Sequence, residues 1–265
     1  MTERVAGKAV AVFGAGSIGP GWGNGKAAAV LFAREGASVL CVDVNGDAAE
    51  ETAAIIRGEG GTARAEIADV TDAMAASRAL AHCGASFGGV DIVHYNVGIS
   101  KPGGIAETTD ADWARVFDVN LNGAFNVARA AIPLMQGKGG AFVFISSIAS
   151  VTAGGYAYAG YEASKAALNR MSQTIAVAHA AEGIRSNVVM PGLIDTPHVT
   201  HMIAGKMTDA EDIGARRAKA PPMRRQGSAW DVAEASVFLG SDAAGYITGV
   251  ALAVDGGLTL TVPSA

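Results

Sequence analysis

Tyr161 and Lys165 stand four residues apart in the run Gly160-Tyr161-Glu162-Ala163-Ser164-Lys165, and a helix sets side chains at that separation on one face. A phenol with a pKa of ~10 exchanges protons poorly at neutral pH, whereas a neighbouring ammonium stabilises the phenolate and lowers that value. The pair reads as a tuned acid/base. Amphipathic helices also carry a half-buried Tyr beside a solvated Lys for packing alone, so the chemistry needs company. It has two companions: the serine run Ile145-Ser146-Ser147-Ile148 just upstream, and a glycine-rich loop near the N-terminus.

That loop follows an apolar run, Ala9 to Phe13, and reads Gly14-Ala15-Gly16-Ser17-Ile18-Gly19-Pro20-Gly21-Trp22-Gly23-Asn24-Gly25-Lys26. Missing Cβ atoms at a strand-to-helix turn let backbone amides approach a pyrophosphate at the helix N-terminus. A second apolar run ends at Asp43. A carboxylate there accepts both hydroxyls of a ribose and repels a 2′-phosphate. With no Arg in the glycine loop and uncharged Val44 and Asn45 after the Asp, NAD is favoured over NADP.

The elements that must position these groups follow a regular beat. Short apolar or β-branched runs span Ala9 to Phe13, Ser38 to Val42, Ala63 to Ile67, Asp91 to Tyr95, Ala141 to Ile145, Arg185 to Val189 and Val250 to Val254. Helical patterns between them include Lys26 to Arg34, Asp47 to Arg57, Ala111 to Met135, Ser164 to Ala181 and Trp230 to Leu239. Alternation of this kind marks a parallel sheet wrapped by helices. The expectation is an α/β fold, one Rossmann-like, doubly wound, seven-stranded parallel sheet forming a single domain over residues 1–265. The segment 192–226 falls outside the beat and is rich in charge and Met, as expected of a substrate lid.

Composition narrows the function. Half of the 265 residues are hydrophobic and only 17% are charged, which suits strands buried on both faces. A net charge of -5 argues against a nucleic-acid partner. No apolar stretch approaches membrane-spanning length, and the polar start from Met1 to Lys8 is unlike a signal peptide. Cys41 and Cys83 are far apart and lack metal-ligand spacing, so no metal is expected, and reduced thiols in a cytoplasmic protein are.

Together these residues resemble the short-chain dehydrogenase/reductases of the compact, single-domain kind, nearly end to end. The resemblance rests on the glycine loop, on Asp69-Val70 after the third strand, and on Tyr95-Asn96-Val97-Gly98 after the fourth. It rests equally on Asn120 in Asp118-Val119-Asn120-Leu121-Asn122-Gly123, on Ser147, Tyr161 and Lys165, on Pro191-Gly192-Leu193-Ile194-Asp195-Thr196, and on Gly245 to Gly249 with Val254-Asp255-Gly256-Gly257. It implies a catalytic set of Asn120, Ser147, Tyr161 and Lys165. Cofactor contacts are implied at Gly14, Gly16, Ser17, Gly23, Asn24, Asp43, Asp69, Val70, Asn96, Gly98, Tyr161, Lys165, Pro191, Ile194 and Thr196.

The implied reaction interconverts a small secondary alcohol and a ketone by hydride transfer, with Tyr161 as general acid/base, Lys165 lowering its pKa and holding the nicotinamide ribose, and Ser147 bonding the substrate oxygen. Asn120 is similar to the family residue that anchors a water between Lys165 and solvent. A homotetramer, built on the long helices and the C-terminal strand, is implied as well.

Three departures stand out. Aligning Gly23-Asn24-Gly25-Lys26 with the family's Gly-x-Gly-Lys/Arg makes the glycine loop about five residues longer, in a region where insertion is tolerated. Tyr95 and Val97 replace the usual Asn and Ala. The step from Ser147 to Tyr161 is slightly wider than the pattern.

Other activities stay open. Tyr158, seven residues before Lys165, and the extended glycine loop are reminiscent of the enoyl reductase branch, although that branch usually lacks the serine. A 3-oxoacyl thioester reductase would use the basic lid residues Lys206, Arg216, Arg217, Lys219, Arg224 and Arg225, which read equally as a solvated helix face. A dinucleotide-binding protein without turnover ranks last, because both Tyr161 and Lys165 are kept. His198 and His201 could meet a polar substrate, and Met190, Met202, Met207 and Met223 could line an adaptable pocket.

Overall fold

A computed structural model describes residues 3–153, 157–197 and 210–261. Seven parallel strands form one sheet in the order β3-β2-β1-β4-β5-β6-β9, with β7 and β8 as a separate short pair. The strands are β1 (Ala9–Phe13), β2 (Ser38–Asp43), β3 (Thr62–Ile67), β4 (Ile92–Tyr95), β5 (Gly140–Ile145), β6 (Ile184–Pro191), β7 (Ile194–Asp195), β8 (Gly227–Ser228) and β9 (Ala251–Val254). The expected doubly wound seven-stranded sheet is therefore present, and its chain order reverses between β1 and β4. Ligands of such sheets bind outside the carboxyl ends of the strands at that reversal.

Central strands read as unbroken apolar runs because helices cover both faces. Ala-Val-Ala-Val-Phe in β1 is buried at every position. One face of the sheet packs Phe13, Leu40, Tyr95, Phe142 and Phe144 against small residues of the helices, among them Ala76, Ala79, Ala124 and Ala128. The other packs Val10, Val12, Val39 and Cys41 against Ala27, Ala28 and Phe32. Burying one large side chain of this kind contributes roughly 1.5–3 kcal/mol.

The helices are α1 (Asn24–Arg34), α2 (Gly46–Gly58), α3 (Ala73–Phe87), α4 (Asp110–Phe117), α5 (Gly123–Met135), α6 (Ala159–His179), α7 (Ala210–Lys219) and α8 (Ala229–Gly240). Local chemistry starts them. Asn45 accepts from the Asp47 and Ala48 amides to cap α2, and Ser228 and Asp231 form a reciprocal capping box on α8. Gly88, at φ 84°, ends α3 in the left-handed region.

The structure adds β7, β8 and α7 at and beside the segment 192–226, which the sequence left outside the beat, and differs elsewhere from the expected helices. The stretch expected as one helix from Ala111 to Met135 is broken by a π turn over Asp118–Asn122, in which the Gly123 amide reaches back five residues to the Asp118 carbonyl. The helix α3 was absent from the expected set, and its Ala-rich stretch fills the gap between β3 and β4.

Candidate active site

The glycine loop is built around a backbone-to-backbone contact. A Cβ on Gly25 would lie 1.9 Å from the Gly14 carbonyl oxygen and 2.7 Å from Asn96 Nδ2, so only glycine lets α1 start against the end of β1. Asn96 Nδ2 donates to that same Gly14 oxygen at 3.0 Å, and Thr52 Oγ1 donates to the Ala15 carbonyl at 2.9 Å. Asp43 Oδ2 accepts from the Gly16 amide at 2.9 Å and Oδ1 from the Asn45 amide at 3.0 Å. The Asp43 carboxylate is thus a strut of the loop.

The residues inserted in this loop are anchored rather than loose. Trp22 packs on Trp230 of α8 with ring centroids 4.7 Å apart, and Lys26 sits 5.3 Å over the Trp22 ring while pairing with Glu51 at 2.6 Å. Gly21, at φ +114°, approaches Pro197 across the opening, where a Cβ would be 3.2 Å from the proline Cγ.

Tyr161 and Lys165 lie in the first turns of α6, whose start is tied down by a bridge between Gly103 and Tyr158. Lys165 is buried; its Nζ donates to the Ile145 carbonyl at 2.8 Å and lies 5.8 Å over the Tyr161 ring. Burial pulls the ammonium down to about 8. Ser147 opens a short 3₁₀ turn, accepting from the Ala149 amide at 3.1 Å, and hydrogen-bonds the Tyr161 phenol.

The expected lowering of the Tyr161 pKa by Lys165 is corrected here. Burial raises the phenol, and the opposing influence is the Ser147 hydrogen bond. The physical reason is burial, which disfavours the phenolate, while the ammonium donates to the Ile145 carbonyl.

Asn120 lies in the π turn and is fully buried. Its Oδ1 accepts from the Ile99 amide at 2.8 Å, and its Nδ2 donates to the Ile99 carbonyl and to Ser164 Oγ, each at 2.9 Å. Ser164 Oγ in turn donates to the Tyr161 carbonyl at 2.8 Å. The side chain therefore braces the loop after β4 against α6.

One cleft of about 510 Å³ at the carboxyl ends of β1, β2, β4, β5 and β6 brings most of the expected residues together. Gly14, Gly16, Ser17, Gly23, Asn24, Asp43, Asn96, Gly98, Ser147, Tyr161, Lys165, Pro191, Ile194 and Thr196 all line it. Asp69, Val70 and Asn120 lie outside that lining. The Asp69 carboxylate is taken by the Thr71 amide and hydroxyl at 2.9 and 2.7 Å, which lowers its pKa, and Val70 is packed in the core.

Sequence reasoning assigned no site role to other lining residues, including Ile18, Val44, Asn45, Ala48 and Val97, and named Arg217 only among the basic lid residues. Arg217 comes from α7, and its guanidinium donates to Gln226 Oε1 at 2.8 Å and to the Ile194 carbonyl at 3.3 Å. Its charge was legible, its direction was not. His198, His201, Met202, Lys206 and Met207 lie outside the described residues. Met190 is buried and Met223 is exposed.

The cleft fits a dinucleotide on two observations. Asn24 Oδ1 at the start of α1 is buried with no hydrogen-bond partner among the described residues, and a Cβ on Gly98 would come 2.9 Å from Lys165 Nζ, so the wall beside the ammonium is held open. Among the described residues no three His, Cys, Asp or Glu side chains gather as metal ligands, and no helix is long and apolar enough to cross a membrane. Cys41 and Cys83 are buried free thiols, each pushed up to about 12 by that burial.

Comparison with known proteins agrees with this geometry. Residues 20–259 match a family model described as enoyl-(acyl carrier protein) reductase. The chain is 36% identical to the 2,5-dichloro-2,5-cyclohexadiene-1,4-diol dehydrogenase LinX of Sphingobium indicum, over 99% of this chain and 100% of that one. A solved Burkholderia xenovorans chain, named as a short-chain dehydrogenase/reductase, superposes with a TM-score of 0.94 at 40% identity, covering 98% and 99% of the two chains. A 7α-hydroxysteroid dehydrogenase, solved with NADH and 7-oxo glycochenodeoxycholic acid, superposes with a TM-score of 0.88 at 31% identity, covering 97% and 96%.

Proposed function

Because the chain belongs to the short-chain dehydrogenase/reductase family, we propose that it is an NAD-dependent oxidoreductase interconverting a small secondary alcohol, borne on a ring, and its ketone. The observation that carries this reading is that Ser147, Tyr161 and Lys165 share one cleft with the glycine loop and Asp43. The dinucleotide, when bound, accepts or returns the hydride. Tyr161 takes the hydroxyl proton in oxidation and gives it back in reduction. Ser147 holds the substrate oxygen and steadies charge developing on it. Lys165 holds the ribose hydroxyls with its buried amine, and Asn120 keeps the loop after β4 in place and anchors a water that leads the proton outward.

NAD is preferred because Asp43 lines the cleft beside Val44 and Asn45, and the two cations among the described lining residues, Lys165 and Arg217, belong to α6 and α7. Gly14, Gly16, Ser17, Gly23 and Asn24 receive the pyrophosphate; Asn96 and Gly98 flank the ribose; Asp69 and Val70 approach the adenine through their backbone; Pro191, Ile194 and Thr196 clasp the carboxamide. Residues 192–226 act as a lid within a single domain, and among its described residues Arg217 lines the cleft together with Gly192, Ile194 and Thr196. The ring-bearing substrate is supported by the names of LinX and of the hydroxysteroid enzyme, both of which imply hydroxyls on rings. A homotetramer in the cytoplasm completes the reading, and light scattering after size exclusion tests the assembly.

Enoyl reduction is the second reading, favoured by the description of the matching family model. Against it, Tyr158 is tied to Gly103 at the start of α6, while Tyr161 lines the cleft.

The deciding experiment supplies NAD or NADP with cyclic secondary alcohols, and NADH with an enoyl thioester, following the reduced cofactor by absorbance. Turnover of alcohols with NAD, abolished by Tyr161→Phe while NAD still binds, is expected. Retained turnover in Tyr161→Phe removes the assignment of the base.

A further inference from the structure

The carbonyl of Val119, one residue before Asn120, accepts a hydrogen bond from the phenol of Tyr95 at 2.6 Å. Tyr95 ends β4 in the middle of the sheet, is fully buried, and packs between Phe13 and Phe144. Burial raises its pKa, so the group stays an O–H donor. A π turn closes on hydrogen bonds five residues apart and disturbs the ordinary helical ladder, so a carbonyl within it gains from an outside donor. The helix makes room for that donor: a Cβ on Gly123 would lie 2.6 Å from the Tyr95 oxygen and 2.6 Å from Val70 Cγ2.

From the turn the connection runs on to the cleft. Asn120 holds both backbone groups of Ile99, beside Gly98, and also holds Ser164 Oγ, which bonds the Tyr161 carbonyl.

We propose that Tyr95 is a positioning residue for the reaction: its phenol fixes the π turn from inside the sheet, so that Asn120 can hold the loop after β4 and the base-bearing helix α6 in register. The proposal rests on the function assigned above and adds to it a residue at which this chain departs from the family's usual Asn. Tyr95 is fully buried outside the cleft lining and acts through Asn120.

Removing one oxygen tests it. Tyr95→Phe keeps the ring between Phe13 and Phe144 and is expected to lower kcat about tenfold, the effect of a modest loss of transition-state stabilisation. KM for NAD and for the alcohol should stay within about twofold. The Asn120→Ala variant should be slow, and adding Tyr95→Phe to it should cost little more, because two groups acting through one turn are not additive. Amide hydrogen exchange should quicken at residues 118–123 in Tyr95→Phe and stay unchanged in β1 and β2. Gly123→Ala, whose methyl would come 2.6 Å from the phenol oxygen, should reproduce the kcat loss.

Wild-type kcat in Tyr95→Phe, full additivity with Asn120→Ala, or unaltered exchange at the π turn each overturns the proposal. Exchange is read without substrate, so absence of NAD-linked turnover in the unmutated protein would count against the assigned function alone.

Discussion

Gly25 approaches Gly14 so closely that a methyl group on it would sit 1.9 Å from the Gly14 carbonyl oxygen. This contact identifies Gly23-Asn24-Gly25 as the end of the loop that meets the strand. Backbone cannot yield as a flexible side chain can, so Gly25→Ala must shift α1 or β1. We expect a loss of about 3 kcal/mol or more in unfolding free energy, at the upper end for an overpacked site, together with loss of NAD binding by fluorescence titration. Gly84→Ala is the control: nothing lies within 4 Å of the added Cβ, it lies inside α3, and replacing a helical glycine there should be neutral or gain up to ~1 kcal/mol. Equal effects at the two positions would remove the packing explanation.

Ser147 is expected to set the pH range of the reaction as well as to hold substrate. Burial raises the Tyr161 phenol and the Ser147 hydrogen bond opposes that rise. Oxidation needs the phenolate, so its rate should climb as pH increases through the Tyr161 pKa, and ketone reduction, which needs the phenol, should fall over the same range. Ser147→Ala removes the opposing bond. The rising limb of alcohol oxidation should then move to higher pH, with kcat about a hundredfold lower for loss of one donor to the developing charge. Initial rates in both directions, carried above pH 10 because burial raises the phenol from that ordinary value, make the comparison. An unmoved limb would separate Ser147 from the acidity of the base.

Legibility in the sequence followed burial. Strands covered on both faces are unbroken apolar runs, so Ala9–Phe13 was readable with its bounds. The helix Ala73–Phe87 was not, because its buried face is largely alanine, at 75, 76 and 79, and alanine marks a core stripe weakly. A π turn adds one residue to a helical circuit and has no compositional mark, which is why Asp118–Asn122 was hidden inside a single expected helix. In the site, Tyr161, Lys165, Ser147 and Asp43 were legible from residue type and spacing. The rise of the phenol was not, since it follows from burial, and the nearby ammonium is held by the Ile145 carbonyl of β5. Arg217 could be placed in the cleft only once α7 had been folded back over β7.

His94 ties the stability of the sheet to pH. Its ring is fully buried in β4, edge-on to Phe32, with Nε2 3.2 Å from Ser236 Oγ and Nδ1 without a partner among the described residues. The Ser236 hydroxyl donates to the Val232 carbonyl, so the serine oxygen accepts from Nε2–H and Nδ1 carries the lone pair. Burial pulls the pKa from 6.5 down to about 3. In that interval the unfolded chain binds a proton that the folded chain refuses, so the His94 contribution is complete above pH 6.5 and is lost progressively as pH falls toward 3. The slope for one such group is at most ~1.4 kcal/mol per pH unit. Wild type should therefore lose about 2 kcal/mol more than His94→Gln between pH 7 and pH 5, measured by urea unfolding at each pH. Parallel losses in the two proteins would show that the acid sensitivity of the fold arises elsewhere.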